Sequence, residues 1–388
     1  MPPFLFLLAA CNLVIGTSAF CLTGILQSVA QSLGTSVSAV GQTITIYALS
    51  TALLAPLLLV LTGRWPRRRA LQMALGLFGL GMLMSGLAPS LPVLLAGRVL
   101  MGAGAVFTPI AASIAVSAVE PARQGKALSL VFLGMSLSYV IGLPLGAWIG
   151  LQFGWRVPVL GLAALCGLMT VLAGWLMPAQ IQAPGARFAG LGALLRQGEV
   201  LRVLGLTLGY FSAIFTVFSY IGPVLQALNP ISPTTLSLTL MVFGLAGVGG
   251  TLTGGWATDR FGPVRTLRTQ LGVLTLMMGL LPFTQGHYPW MVLTFVVWGL
   301  AGFGMMSPTQ ARLAAAAPRQ APILFSLNSS MLYAGTALGA AAGGLASAAW
   351  GHATLSWTGA CFALLAALSF AGMRTPGRPA AWPLSGPP

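Results

Sequence analysis

A chain of 388 residues with 57% hydrophobic and 5% charged side chains, and three acids in all, carries too little charge to solvate a soluble globular surface. Its formal charge of +15 would suit nucleic acid, but the basic residues sit in short clusters between apolar runs, which makes the charge a matter of topology and argues against that partner.

Twelve apolar runs are long enough to cross a hydrocarbon core as helices. In chain order they cover roughly Phe4 to Leu26, Val37 to Thr62, Ala70 to Leu87, Leu91 to Val116, Ala127 to Ile149 and Val157 to Met177, then Arg202 to Leu225, Thr234 to Trp256, Leu267 to Phe283, Trp290 to Thr309, Ile323 to Ala349 and Leu355 to Met373. We number these runs as spans 1 to 12. Leu8-Ala9-Ala10-Cys11 imitates a lipoprotein cleavage site. It lacks a basic segment before it and the apolar run continues, so a retained first span is expected.

Sixteen of the eighteen Lys and Arg residues fall on one side of this topology, leaving only Arg98 and Arg156. By the positive-inside rule both termini are expected in the cytoplasm, in a bacterial-type inner membrane, with anionic lipid against the basic face. Cys11, Cys21, Cys166 and Cys361 stand at unrelated spacings inside spans, so no disulfide framework or metal site is expected. No cofactor is expected either, because no glycine-rich phosphate loop or acid, base and nucleophile constellation occurs, and the chain does not read as an enzyme.

A duplication is visible in the glycines. Gly102-Ala-Gly104 in span 4 recurs as Gly302-Phe-Gly304 in span 10, and Gly142-x-x-x-Gly146 in span 5 as Gly339-x-x-x-Gly343 in span 11. The offsets are close to half the chain, as two parallel six-helix repeats require. The expected division is residues 1–177 for the first bundle, 178–200 for a linker, 201–373 for the second bundle and 374–388 for a Pro-rich tail. Within the linker, Phe188, Leu191, Leu194 and Leu195 suit a short interfacial helix.

Several motifs occur in a telling order. Gly63 and Arg64 open a basic turn after span 2, and Arg98, Gly102 and Gly104 mark span 4. Gly134, Gly142, Pro144 and Gly146 mark span 5, with Gly154-Trp155-Arg156 after it. Ser219-Tyr220-Ile221-Gly222-Pro223 closes span 7, and Gly255, Asp259, Arg260, Gly262 and Arg265 surround the end of span 8. In this order the chain resembles the major facilitator superfamily, in particular the drug:proton antiporter branch that includes arabinose-efflux-permease-like proteins. The resemblance implies an all-α integral membrane protein with twelve transmembrane helices in two pseudo-symmetric bundles. It also implies alternating access and a secondary exporter of small amphipathic molecules such as a drug, sugar or metabolite, working as a monomer. A uniporter or importer of a neutral or anionic metabolite is the alternative, and a membrane scaffold the alternative outside transport.

The resemblance further implies that Asp259 latches the basic end by meeting span 5 or Lys126, and that spans 5 and 8 meet across the bundles. Gly244, Gly247, Gly250 and Gly254 are expected to face the span 5 glycines there. Proton antiport needs a titratable relay, yet no Asp, Glu or His falls within a span core. Expected cavity residues are Asn12, Phe20, Tyr47, Arg98, Met135, Tyr139, Tyr210, Phe211, Trp298, Met305 and Asn328, a set that suits amphipathic solutes and offers a cation no counter-carboxylate. Arg98 lies seven residues into span 4, roughly 10 Å deep at about 1.5 Å per residue. It reads either as an anchor for an anionic or polar group or as a bridge to carbonyls of a neighbouring helix.

Overall fold

The computed structural model describes residues 2–120, 123–178, 196–317 and 321–371. Among them are twelve helical rods and no strand. Span 1 is Phe4–Phe20 with Leu26–Ser32 after a break; span 2 is Val37–Leu61; span 3 is Arg67–Gly86. Span 4 is Leu91–Gly104 continued by Phe107–Ser117, span 5 is Gln124–Leu137 continued by Leu143–Phe153, and span 6 is Arg156–Leu176. The second set runs Gly198–Phe218 with Ile221–Leu228, Pro233–Phe261, Pro263–Leu280, Tyr288–Gly304 with Met306–Ala316, Ala321–Trp350 and Leu355–Ala371. Seven of the rods, three of them made of helices joined end to end, are long and apolar enough to cross a membrane, and Phe4–Phe20 is a shorter apolar helix. The expected interfacial helix around Phe188 to Leu195 and the tail 374–388 lie outside the described residues.

Lipid is the solvent this surface fits. Trp175, Leu345 and Leu252 are 79%, 75% and 70% exposed, a degree of apolar exposure that water would penalise. Local signals set the rod ends. Ser36 and Ser232 cap spans 2 and 8 at matching places by accepting from the amides of Ala39 and Thr235, each at 3.1 Å. Span 8 ends at Gly262, whose φ of 83° needs a glycine, and Pro263 then opens span 9.

The duplicated glycines make matching seams within each bundle. In the second bundle a Cβ on Gly335 would fall 2.5 Å from the Leu208 carbonyl oxygen, and Gly339 and Gly343 press on Ser212 and Thr216, so span 11 lies directly on span 7. In the first bundle Gly134 and Gly142 press on Ala9 and Thr17, so span 5 lies on span 1 in the same way. Spans 5 and 8 meet across the bundles as expected, but Gly142 and Gly146 do not form that seam: they face Thr17 and Cys21 of span 1. Gly250 and Gly254 pack against Leu300 and Gly304 of span 10, and Gly244 alone of that set touches span 5, at the backbone of Tyr139 and Val140. Glycine spacing reports a close approach but not the partner: Gly134, Gly142, Gly250, Gly254, Gly335, Gly339 and Gly343 meet a neighbour in their own bundle, whereas Gly244 meets the other one.

Pro144 leaves a local mark. Lacking an amide hydrogen, it cannot continue the ladder, and residues Ser138–Gly142 widen into a π turn just before it. Span 11 has Ala341 at the matching position and is one continuous helix. The seams predict a contrast between two equal substitutions. Gly335→Ala should lower the thermal midpoint of the purified protein, costing about 1–3 kcal/mol by overpacking against fixed backbone. Gly146→Ala should leave it nearly unchanged, since the nearest atom to a new Cβ there is Cys21 Cβ at 3.7 Å. Equal midpoints would contradict the seam geometry.

Candidate functional site

Spans 1 and 7 are each interrupted near the end opposite the basic loops. Span 1 stops at Phe20 and span 7 at Phe218. Thr23 donates both its Oγ1, at 2.8 Å, and its amide, at 3.0 Å, to the Phe20 carbonyl, satisfying locally a group that a continuing helix would bond with the amide four residues on. Pro223 does the equivalent in span 7 by removing the amide that would have reached Ser219. The freed backbone is used between the bundles: Gly222 N donates to Thr23 O at 3.2 Å. That approach needs the glycine at 222, since a Cβ there would lie 2.5 Å from the Gly24 carbonyl oxygen.

Tyr220, in the span 7 interruption, completes the closure. Its fully buried ring fills a slot formed by Gly41 of span 2 and Gly343 and Gly344 of span 11. Its hydroxyl lies 3.1 Å from the Ala340 carbonyl and 3.4 Å from the Ser38 carbonyl, and accepts from Gln42 Nε2 at 3.4 Å. Ser38 Oγ also donates to Gly344 O at 2.7 Å. These hydrogen bonds join the two bundles, so the molecule is closed at the end opposite the basic loops. A recess lined by Gln27, Ser28, Gln31 and Gln226 sits just outside it.

Below the closure the bundles meet through aromatic rings. Phe20 is the hub, with centroids 5.8 Å from Tyr139, 5.6 Å from Phe215, 5.8 Å from Phe218 and 6.5 Å from Tyr47. Tyr47 reaches Tyr333 of span 11 at 6.5 Å, and Tyr139 reaches Phe303 of span 10 at 5.5 Å. Met135, Tyr139, Phe211 and Tyr333 keep partial exposure, while Phe20, Tyr47, Tyr210 and Met305 are buried.

Three expected cavity residues are turned into their own bundles. Asn12 gives its Nδ2 to Val131 O at 3.0 Å and accepts from Thr108 Oγ1 at 3.0 Å, tying spans 1, 4 and 5. Asn328 accepts from Thr207 Oγ1 at 2.6 Å, tying spans 7 and 11 at the repeat-related place. Trp298 stacks with Phe243 and Phe295 between spans 8 and 10. Their amides and ring are spent on packing, because a buried polar group must find a partner and the same-bundle neighbour is at hand.

Arg98 is 1% exposed. Its Nη1 donates to the carbonyls of Ser18 and Ala19, both at 3.3 Å, in the last turn of the helix that stops at Phe20. The guanidinium thus caps the negative end of an interrupted helix. Gly97 and Gly102 allow the approach of span 4, pressing on Ser85 and on the Tyr47 to Thr51 turn of span 2.

At the basic end the expected latch is absent in this state. Asp259 and Lys126 are exposed, and no ion pair joins them among the described residues. Arg260 lies 5.9 Å from the ring centroids of Trp256 and Phe261 on its own helix, and Arg64 is exposed beside the half-buried Gly63. Arg312 pairs with Glu199 inside the second bundle. Sequence reasoning missed the closure of Ser38, Gly41, Gln42 and Gly344; the adjacent glycines Gly343-Gly344 and the Gly222-Pro223 break were its available signals.

The major facilitator superfamily is the class this architecture defines. The Major Facilitator Superfamily profile matches residues 8–314 and 203–386, and the chain belongs to that family. It is 31% identical over 368 residues to the uncharacterized MFS-type transporter YbcL of Bacillus subtilis (strain 168), covering 94% of each chain. It is 32% identical to the inner membrane transport protein YdhP of Escherichia coli (strain K12), covering 91% of each, and 29% identical to a probable sugar efflux transporter of Pasteurella multocida (strain Pm70), covering 93% of this chain and 90% of that one. Among solved structures, an inward-facing, occupied bacterial homolog of the human lysosomal transporter Spinster superposes with a TM-score of 0.81 at 15% identity, covering 95% of each chain. A D-xylose-proton symporter superposes at 0.76 with 16% identity, covering 95% of this chain and 97% of that one. The protein is a multi-pass inner-membrane transporter of a small molecule and not an enzyme.

The closure predicts a labelling result. With the exposed Cys361 replaced and a cysteine placed at Ser28, Tyr220→Phe should raise the rate of modification by a water-soluble maleimide about two- to tenfold, the span of one hydrogen bond's net worth. An unchanged rate would contradict the role given to the Tyr220 hydroxyl.

Proposed function

We propose that the protein is a secondary transporter that exports small amphipathic solutes, neutral or anionic, by alternating access, with both termini on the cytoplasmic side. The observation that carries this reading is the aromatic centre around Phe20, built from both bundles directly beneath a closure made only of neutral groups. Rings at a bundle interface bind apolar and amphipathic surface, and re-pack as the bundles rock. The three acids of the chain, Glu120, Glu199 and Asp259, are exposed near helix ends and leave a cationic solute without a counter-charge at the centre. The same lack means that a proton exchanged during transport travels on the solute and not on a carboxylate of the spans. Sixteen basic residues on one face support the orientation and a contact with anionic lipid there.

A sugar is the second reading, favoured by the Pasteurella relative's description and by the stacking faces of Phe20, Tyr47 and Tyr139. It ranks below amphipathic solutes because Asn12 and Asn328, the two amides of the expected cavity set, are committed within their bundles.

The test is accumulation of a panel of neutral, anionic and cationic fluorescent solutes and labelled sugars in cells lacking their own exporters, with and without this protein. Lower accumulation of neutral or anionic amphiphiles, restored by Phe20→Ala, is expected. Higher accumulation would reverse the direction, selective loss of cations would overturn the solute class, and no change across the panel would contradict export.

A further inference from the structure

The capping of span 1 leaves Arg98 half used. Nη1 holds two carbonyls, but Nε and Nη2 are buried and find no oxygen acceptor, with only the Cys21 sulfur beside the guanidinium. Ser18 Oγ, on one of the two residues whose carbonyls Arg98 grips, is also buried and unpartnered, and so is Thr43 Oγ1. Thr43 stands one turn before Tyr47 on the face of span 2 that touches Gly102, which itself stands one turn after Arg98, so the four unpartnered groups belong to one junction of spans 1, 2 and 4. The Cys21 thiol and Tyr47 phenol flank the guanidinium, and both are neutral hydrogen-bonding groups.

Charge makes this junction more than a packing defect. A buried cation needs a compensating negative charge, and all three acids of the chain lie elsewhere. The end of the interrupted helix supplies the equivalent of about half an elementary charge. One compact anion would supply the rest, and would accept from Nε, Nη2 and the two hydroxyls together, the strongest class of hydrogen bond available to a guanidinium.

We propose that Arg98, Ser18 and Thr43 form a binding site for one compact monovalent anion. Two sources share this chemistry: an inorganic halide and the carboxylate of a transported solute. The second source rests on the transport reading above; binding itself does not. Occupation compensates Arg98 and holds the interrupted end of span 1, and through Thr23 O the closure of the bundles, in place.

The test uses the full chain in lipid nanodiscs and reads the thermal unfolding midpoint at constant ionic strength while sodium gluconate, whose anion is too large for the junction, is exchanged for sodium chloride or sodium acetate. A saturable rise of several degrees is expected in the unsubstituted protein. It should vanish in Arg98→Gln and persist in Arg156→Gln, whose arginine holds Ser32 and Ala88 at the surface. Ser18→Ala should raise the half-saturating anion concentration about tenfold. A rise with chloride alone assigns the site to inorganic halide, and a rise with acetate alone to a solute carboxylate. No anion-specific rise, or the same rise in Arg98→Gln, overturns the proposal. Should Arg98→Gln fail to fold, an unchanged half-saturation in Ser18→Ala overturns it instead. Transport need not be measurable for any of these outcomes, so failure here leaves the export reading standing, and failure of export leaves this one.

Discussion

Two broken helices govern the arrangement. A transmembrane helix that stops inside the bilayer must find partners for its open backbone groups, since lipid supplies none. Span 1 finds them in three places: Thr23 returns a hydroxyl to Phe20, Arg98 takes the carbonyls of Ser18 and Ala19, and Thr23's own carbonyl accepts from Gly222 of the other bundle. Only the last joins the two halves through backbone. Tyr220 in its glycine slot and the rings around Phe20 then assemble about that junction, because the interruptions bring them there.

The two bundles solve the same problem with different chemistry. Trp298 stands 200 residues after Arg98, in register with the repeated Gly102 and Gly302. In the first bundle a cation caps the broken span; in the second a buried indole packs with Phe243 and Phe295. The amide clamps are likewise exchanged between partners: Asn12 sits on span 1 and reaches span 5, whereas Asn328 sits on span 11 and meets Thr207 of span 7. Geometry is thus preserved by the duplication while, of these two matching positions, only the one in the first bundle carries a charge.

Much of the fold is legible in the chain because lipid imposes long apolar runs and the repeat imposes matching glycines. Both signals are one-dimensional, and they fail where direction matters. Gly142 announces a close approach without saying that it is to Thr17 of span 1 and not to a span 8 glycine. Asn12 and Asn328 look like cavity groups because an amide in a span must bond to something; which neighbour it meets depends on rotation about the helix axis. Tyr220 counts among many span 7 aromatics until Gly41, Gly343 and Gly344 are seen converging on it from two other spans. Arg98 stands out by charge alone, but its use as a helix cap depends on where span 1 breaks, which Thr23 and Gly24 mark only weakly.

The central claim is that closure at the Thr23, Gly222 and Tyr220 junction alternates with closure at the basic end. Pulsed electron resonance distances between spin labels at Gln31 and Gln226, and in a second sample at Lys126 and Asp259, test it directly in lipid nanodiscs with and without a transported solute. The first pair should move apart as the second approaches. Two distances that stay fixed, or that lengthen together, would contradict it.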